Sequence, residues 1–174
     1  MRDRQDELFE QAGRDYAPAI ARLARAMERD AEKARDLEQD IHCELWRSLA
    51  RFDDACSLKT WVFRVAHNVA ADHVRSAMRT PILSDDDLLD SIPDPADSEA
   101  ALAHEHALAR LHTVIRTLPL LDAQVILLWL EGHSGAEISE ITGLTSNAAA
   151  TRVHRIRGKL SAHFALPDSQ GESA

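Results

Sequence analysis

Apolar residues recur at spacings of three and four along most of the chain, which is the period of amphipathic helices. Between residues 5 and 29 the stripe is Leu8, Phe9, Ala12, Tyr16, Ile20, Leu23, Ala24 and Met27. A break is expected near Asp15 to Pro18, because proline fits only the first turn of a helix. From about Glu32 to Arg51 a second stripe runs through Ala34, Leu37, Ile41, Leu45 and Leu49, flanked by Trp46. Asp36, Gln39, Asp40 and Glu44 lie off it as an exposed acidic patch. After a short loop, Phe52 to Cys56, the segment Ser57–Arg79 puts Leu58, Trp61, Val62, Val65, Ala66 and Val69 on one face. Arg64, Asn68, Arg75 and Arg79 fall on another, with Asp72 beside them. One side wants a core and the other an anion. Ser57 suits an N-cap, and Thr80-Pro81 a stop, since a residue before proline avoids the helical region.

Residues 81 to 98 hold three prolines and a dense acidic run without helical period, as a linker or partly disordered segment does. Helical patterning resumes near Glu99 with Leu102, Leu108, Leu111, Val114, Ile115 and Leu118, and halts at Pro119. A short apolar helix follows from Leu121 to Glu131, ended by Gly132. Ser134-Gly135-Ala136-Glu137 has the form of a capping box. The short helix it opens carries Ile138 and Ile141 and closes at Gly143, suited to a left-handed cap. Leu144 is an apolar pin, Thr145 a new N-cap, and a last helix runs from Ser146 to about His163. Helix, glycine turn and second helix make the helix-turn-helix pattern, whose second helix enters a major groove. Asn147, Ala148 and Ala149 at its start are small enough for close approach, and Arg152, Arg155, Arg157 and Lys159 follow unopposed.

Few glycines, prolines and aromatics favour helices over sheets, so the expected fold is all-α. It comprises a helical bundle over 1–80, the acidic linker 81–98, a helix-turn-helix domain over 99–165 and a disordered tail over 166–174. The net charge of −9 argues against nucleic acid until it is divided. Residues 81 to 109 carry eight acids and no Lys or Arg, so nearly all the excess sits there. Arg47–Arg79 has six basic residues against three acids, and Ser146–Lys159 four against none. Two basic patches flank one acidic connector. No apolar run approaches the ~18 residues of a membrane span, and the charged N-terminus is no signal peptide. Cys43 and Cys56 lack metal-type spacing and read as free thiols of a reducing cytosol. The nine histidines form no ligand set with metal-site spacing, and no nucleophile elbow, phosphate loop or paired-carboxylate site is present. Neither a metal, nor a cofactor, nor an enzyme is expected.

Asp36-Leu37-Glu38-Gln39-Asp40, then Leu45-Trp46, Phe52-Asp53, Lys59-Thr60-Trp61, Asn68, Asp72 and Arg75 resemble, in order and spacing, the signature of bacterial sigma factors. Leu118-Pro119, Glu131 to Ser134, Glu137-Ile138 and Thr151 to Arg155 resemble the same family's second conserved domain. Length and the short linker match its extracytoplasmic-function group, which keeps only these two domains.

The resemblance implies an alternative sigma factor, cytoplasmic, that directs RNA polymerase core enzyme to promoters and assists strand opening. It would place Asp36, Leu37, Gln39, Asp40, Leu45 and Trp46 against the polymerase clamp. The loop from Phe52 and Asp53 to Ser57, with Lys59, Thr60 and Trp61, would capture an unstacked base of the minus-ten element. Arg64, His67, Asn68, Asp72, Arg75 and Arg79 would contact that element and its backbone. The final helix, through Ser146, Asn147, Ala148, Thr151, Arg152, His154, Arg155, Arg157 and Lys159, would read the minus-thirty-five element. An anti-sigma factor is the implied protein partner, and the acidic linker would thread toward the RNA path. Ala150, Ser76 and Ala123 depart from the family by replacing frequent basic residues. Two other classes fit parts of the pattern: a free-standing helix-turn-helix regulator with an N-terminal sensing or dimerisation domain, and a protein-interaction bundle with incidental basic faces. Neither needs the block from Lys59 to Arg75.

Overall fold

The computed structural model describes residues 2–79 and 99–165. The linker 81–98 and the tail 166–174 read from the sequence lie outside the described residues. Among these there is no strand, and seven helices follow in order: α1 (Arg2–Met27), α2 (Ala31–Leu49), α3 (Leu58–Arg79), α4 (Glu99–Thr117), α5 (Leu120–Leu130), α6 (Gly135–Thr142) and α7 (Ser146–Ala165). The expected all-α architecture is the observed one.

Each start follows local chemistry. Asp30 caps α2 by accepting from the amides of Glu32 and Lys33, both at 2.9 Å. Ser57 Oγ accepts the Thr60 amide at 3.0 Å at the head of α3. Ser134 and Glu137 form the capping box of α6, and Thr145 Oγ1 accepts the Ala148 amide at 3.1 Å to start α7. Gly143 ends α6 at φ +78°, a left-handed conformation that glycine adopts without steric cost.

One expected break is absent. α1 runs unbroken through Pro18, although a proline there removes one helical hydrogen bond and crowds the carbonyl four residues back. Tertiary burial overrides it: Ala12, Ala19, Ile20, Leu23, Ala24 and Met27 are all buried, on both sides of the proline. α1 packs along both α2 and α3. Ile20, Leu23, Leu37, Ile41, Leu45, Leu49, Val62, Ala66 and Ala70 fill the space between these three helices.

The second half forms its own angle of helices, α5 and α6 closing on α7 around Val125, Leu128, Ile138, Ile141, Ala149 and Val153. It also lies against the first half. Ala19 and Phe63 join that second cluster, while Ile115, Ile126 and Ile156 join the first. Thus α3 is buried on two flanks, and the stripe of Val62 and Ala66 is only one of them.

Replacing Pro18, whose side chain is exposed, should stabilise the chain. Pro18→Ala is expected to add about 2 kcal/mol, the regained helix term less the extra freedom of the unfolded chain, measured as a shift in the urea unfolding midpoint. No gain would mean that the helix is already distorted around residue 14.

Candidate nucleic-acid interface

On α2, Asp36, Gln39 and Asp40 are exposed, as an acidic docking patch requires. Leu37 and Leu45 are 1% exposed each. They hold α2 on the core, as the apolar stripe predicts, although the family resemblance also sets them among the docking residues. Trp46 is 37% exposed, and its indole N–H donates to Asp6 at 3.2 Å.

The turn into α3 is tightly fixed. Phe52 is buried and stands edge-on to Trp61, ring centres 5.4 Å apart. Asp53 accepts the Ala55 amide, Asp54 pairs with Arg4 at positive φ, and the Trp61 indole donates to Ser48 Oγ at 3.0 Å. Between α2 and α3 this leaves a cleft of about 620 Å³, bordered by Arg47, Arg51 and Arg64, by the acids Asp40, Glu44 and Asp72, and by Trp61 and Asn68. The indole offers an apolar wall on which a base could stack, while Arg47 stands 3.7 Å from Glu44 and Arg64 is turned to the Glu140 carbonyl. Asp72 accepts from Arg75 at 2.9 Å, and Asn68, Arg75 and Arg79 are exposed.

The opposite flank of α3 is not open. Lys59 Nζ pairs with Glu137 at 2.9 Å, Thr60 Oγ1 donates to Glu140 at 3.3 Å, and Arg64 donates to the Glu140 carbonyl at 2.9 Å. Gln124 of α5 donates to the His67 carbonyl at 3.0 Å. Thr60 and His67 are each 3% exposed. Thr60, His67 and Phe52 therefore face protein and not solvent in this arrangement, a correction to the surface read from the sequence. Thr60 meets Glu140 of α6, His67 meets α5 and His133, and Phe52 packs on Trp61 in the core of the bundle.

His67 and His133 meet at this seam. Nδ1 of His67 and both ring nitrogens of His133 find no hydrogen-bond partner, and the Phe63 ring stands edge-on to His133 at 4.3 Å. Burial, with His133 nearby, pushes the His67 imidazole down to about 3. Burial lowers His133 too, helped by Lys59 and opposed by Glu137 and Glu131. The Ser134 amide and then Lys59 hold the Glu137 carboxyl at about 2.

On α7, Ser146, Asn147, Ala150, Thr151, His154 and Lys159 are exposed and Ala148 is partly so, while Val153 and Ile156 are buried. Ala149, expected at the approach surface, is buried too because it packs into the cluster of Val125, Leu128, Ile138 and Ile141. Arg152 and Arg155 both donate to Asp122, at 2.5 and 2.8 Å, and the Arg157 guanidinium lies 4.8 Å over the Trp129 ring. Three of the cations that the sequence leaves unopposed thus have partners on α5. Asp122 escaped the sequence reading, yet a signal existed. It is the one charged residue in the apolar run of α5, and a charge inside such a run needs a counter-charge. Among the described residues no three His, Cys, Asp or Glu side chains are placed to hold a metal ion, and no helix is long and apolar enough to cross a membrane.

The chain thus carries a capped helix-turn-helix with an exposed polar front, and a helical bundle with a cleft bordered by arginines and acids. Residues 14–80 match the family description Sigma-70 region 2, and residues 108–160 match Sigma-70, region 4. The ECF RNA polymerase sigma factor SigM of Mycobacterium tuberculosis is 28% identical over 152 residues, covering 87% of this chain and 74% of that protein. The probable RNA polymerase sigma factor RfaY of Xanthomonas campestris pv. campestris is 27% identical over 143 residues, 79% of this chain. The match spans only 36% of RfaY's length. CnrH, solved in complex with the cytosolic domain of CnrY, shares the fold with a TM-score of 0.68 at 24% identity, covering 98% of each chain. The chain belongs to the sigma-70 family, in its extracytoplasmic-function group, as a transcription initiation factor and not an enzyme.

The histidine seam sets a pH dependence. A folded-state pKa below the ordinary 6.5 means that the folded chain binds fewer protons than the unfolded one. Stability is therefore full above about pH 6.5 and is lost as pH falls from there toward 3. Thermal unfolding at pH 5.5 should show about 1 kcal/mol less stability from His67 alone than at pH 7.5. His67→Leu should flatten that difference, and an unchanged slope would show that other groups carry it.

Proposed function

We propose that this chain is an alternative sigma factor that carries RNA polymerase core enzyme to a set of promoters and assists strand opening in the cytoplasm. Residues 1–80 would serve core binding and the minus-ten element, and residues 99–165 the minus-thirty-five element. The observation that carries this reading is the succession, in one chain, of both conserved regions in family order. A free-standing regulator would need only the second.

In this reading, exposed Asp36, Gln39 and Asp40 dock on the polymerase clamp. The α2–α3 cleft takes a displaced base, with Trp61 as its wall and Asn68, Arg75 and Arg79 along the strand. The exposed front of α7 reads the upstream element. Stacking contributes about 1–3 kcal/mol per base, close to what unstacking costs, so opening requires polymerase to hold the rest of the duplex. Lys59, Thr60 and Arg64 reach DNA only if α6 lifts off α3, and His67 only if α5 does, so core enzyme has to separate the two halves. An anti-sigma factor fits the same scheme by holding them together or covering them. CnrH, of the same fold, was solved with the cytosolic domain of CnrY.

Run-off transcription with purified core enzyme across a promoter library tests the reading, and no start-specific transcript would refute it. Trp61→Ala is expected to leave core binding within about twofold and to reduce permanganate reactivity of the minus-ten strand about tenfold, the loss of one stacked base. Full opening in that variant would remove the cleft from the mechanism. Asp36→Arg is expected to weaken core binding instead.

A further inference from the structure

A recognition helix discriminates bases only when its side chains are held in place. Here the holding comes from α5. Asp122 lies in the first turn of that helix with its side chain 4% exposed, and the rest of α5 carries no charge. A carboxylate buried in so apolar a run requires cationic donors, and it has two. Arg152 Nη1 donates to Oδ1 and Arg155 Nη2 to Oδ2. The two arginines stand three residues apart on α7 and so share a face. Each guanidinium carries five N–H donors, so both retain most of theirs. Their side chains remain 32% and 52% exposed.

We propose that Asp122 is a positioning residue for promoter reading: it fixes the two guanidiniums in one plane of approach and cancels one of their two charges. The inference rests on the reading of α7 as the helix that meets the upstream element. An unheld arginine samples many rotamers and settles on any phosphate, which adds affinity without sequence information. A fixed fork presents its remaining donors at one position, where a base edge or a particular phosphate either matches them or does not. One buried carboxylate therefore sets both the specificity of the helix and its general stickiness toward DNA. Arg157, stacked on Trp129 of the same α5, is held by a different contact and is not part of this clamp.

The test uses the full chain with core enzyme on a promoter selected from randomised upstream elements, against the same promoter with that element scrambled. Wild type should prefer the selected element. If it shows no preference, the reading of α7 fails, and the inference with it. With that preference established, Asp122→Asn should reduce it about tenfold. The same variant should steepen the dependence of binding to random duplex on salt by about one counterion. Asp122→Glu, which keeps the charge, should retain the wild-type salt slope. Unchanged preference and slope in Asp122→Asn would overturn the proposal. Because that variant can lose the packing of α5 on α7, the wild-type chain provides a second measurement. Resolved, slowly exchanging guanidinium N–H signals of Arg152 and Arg155 should persist in nitrogen-15 NMR when upstream-element duplex is added. Their collapse on DNA binding would show that the clamp releases, and would equally overturn it.

Discussion

The seam where α6 and α5 lie across the flank of α3 decides which polar groups of this chain face solvent. Its centre is apolar: Ala19 and Phe63 reach into the cluster of Val125, Leu128, Ile138 and Ile141, and removing such surface from water is the favourable term. Its rim is ionic, and each rim contact is individually small. Lys59 and Glu137 are each about a third exposed, and ion pairs that open to water contribute little. The charged groups set the register of the seam, while the buried side chains hold it shut.

The same seam links folding to promoter opening. Glu137 completes the capping box of α6 and also accepts Lys59 of α3, so one carboxylate both starts the helix-turn-helix and ties it to the bundle. The Glu140 side chain accepts from Thr60 and its carbonyl from Arg64. Residues that the family resemblance assigns to a melted strand are thus engaged by protein acceptors. Near them lie His67, whose Nδ1 has no hydrogen-bond partner, and His133, whose two ring nitrogens have none. They are the costliest polar groups of the interface, because a buried donor or acceptor left unmade forfeits its hydration.

On the second half, the logic is reversed: a charge is buried so that others are held. Asp122 costs desolvation, which two guanidiniums offset, and the result is an α7 whose cations are arranged and not free. The departures Ala150 and Ala123 fit beside this. Ala123 is buried in the core shared by the two halves, where a long basic side chain has no room. Ala150 lies on the exposed front of α7, leaving that face to Asn147, Thr151 and His154.

The sequence by itself determined the helices, their caps, the turn at Gly143 and the division of charge, because each depends on neighbours within about four residues. It also carried the family, since motif order and spacing survive without any fold. Exposed Asp36, Asp40, Asn68 and Arg75 were legible for the same reason: each sits opposite an apolar stripe on its own helix. What only the tertiary structure decided is what those helices meet. Pro18 stays helical because its neighbours are buried on both sides. Thr60 is covered because α6 lies against it, and His67 because α5 and His133 do. Arg152 and Arg155 are occupied because Asp122, thirty and more positions away, folds against them. Helical period reports how much of a face is apolar. It carries no information about which distant carboxylate or ring will be brought to the polar remainder, and that pairing is fixed only when the cores close.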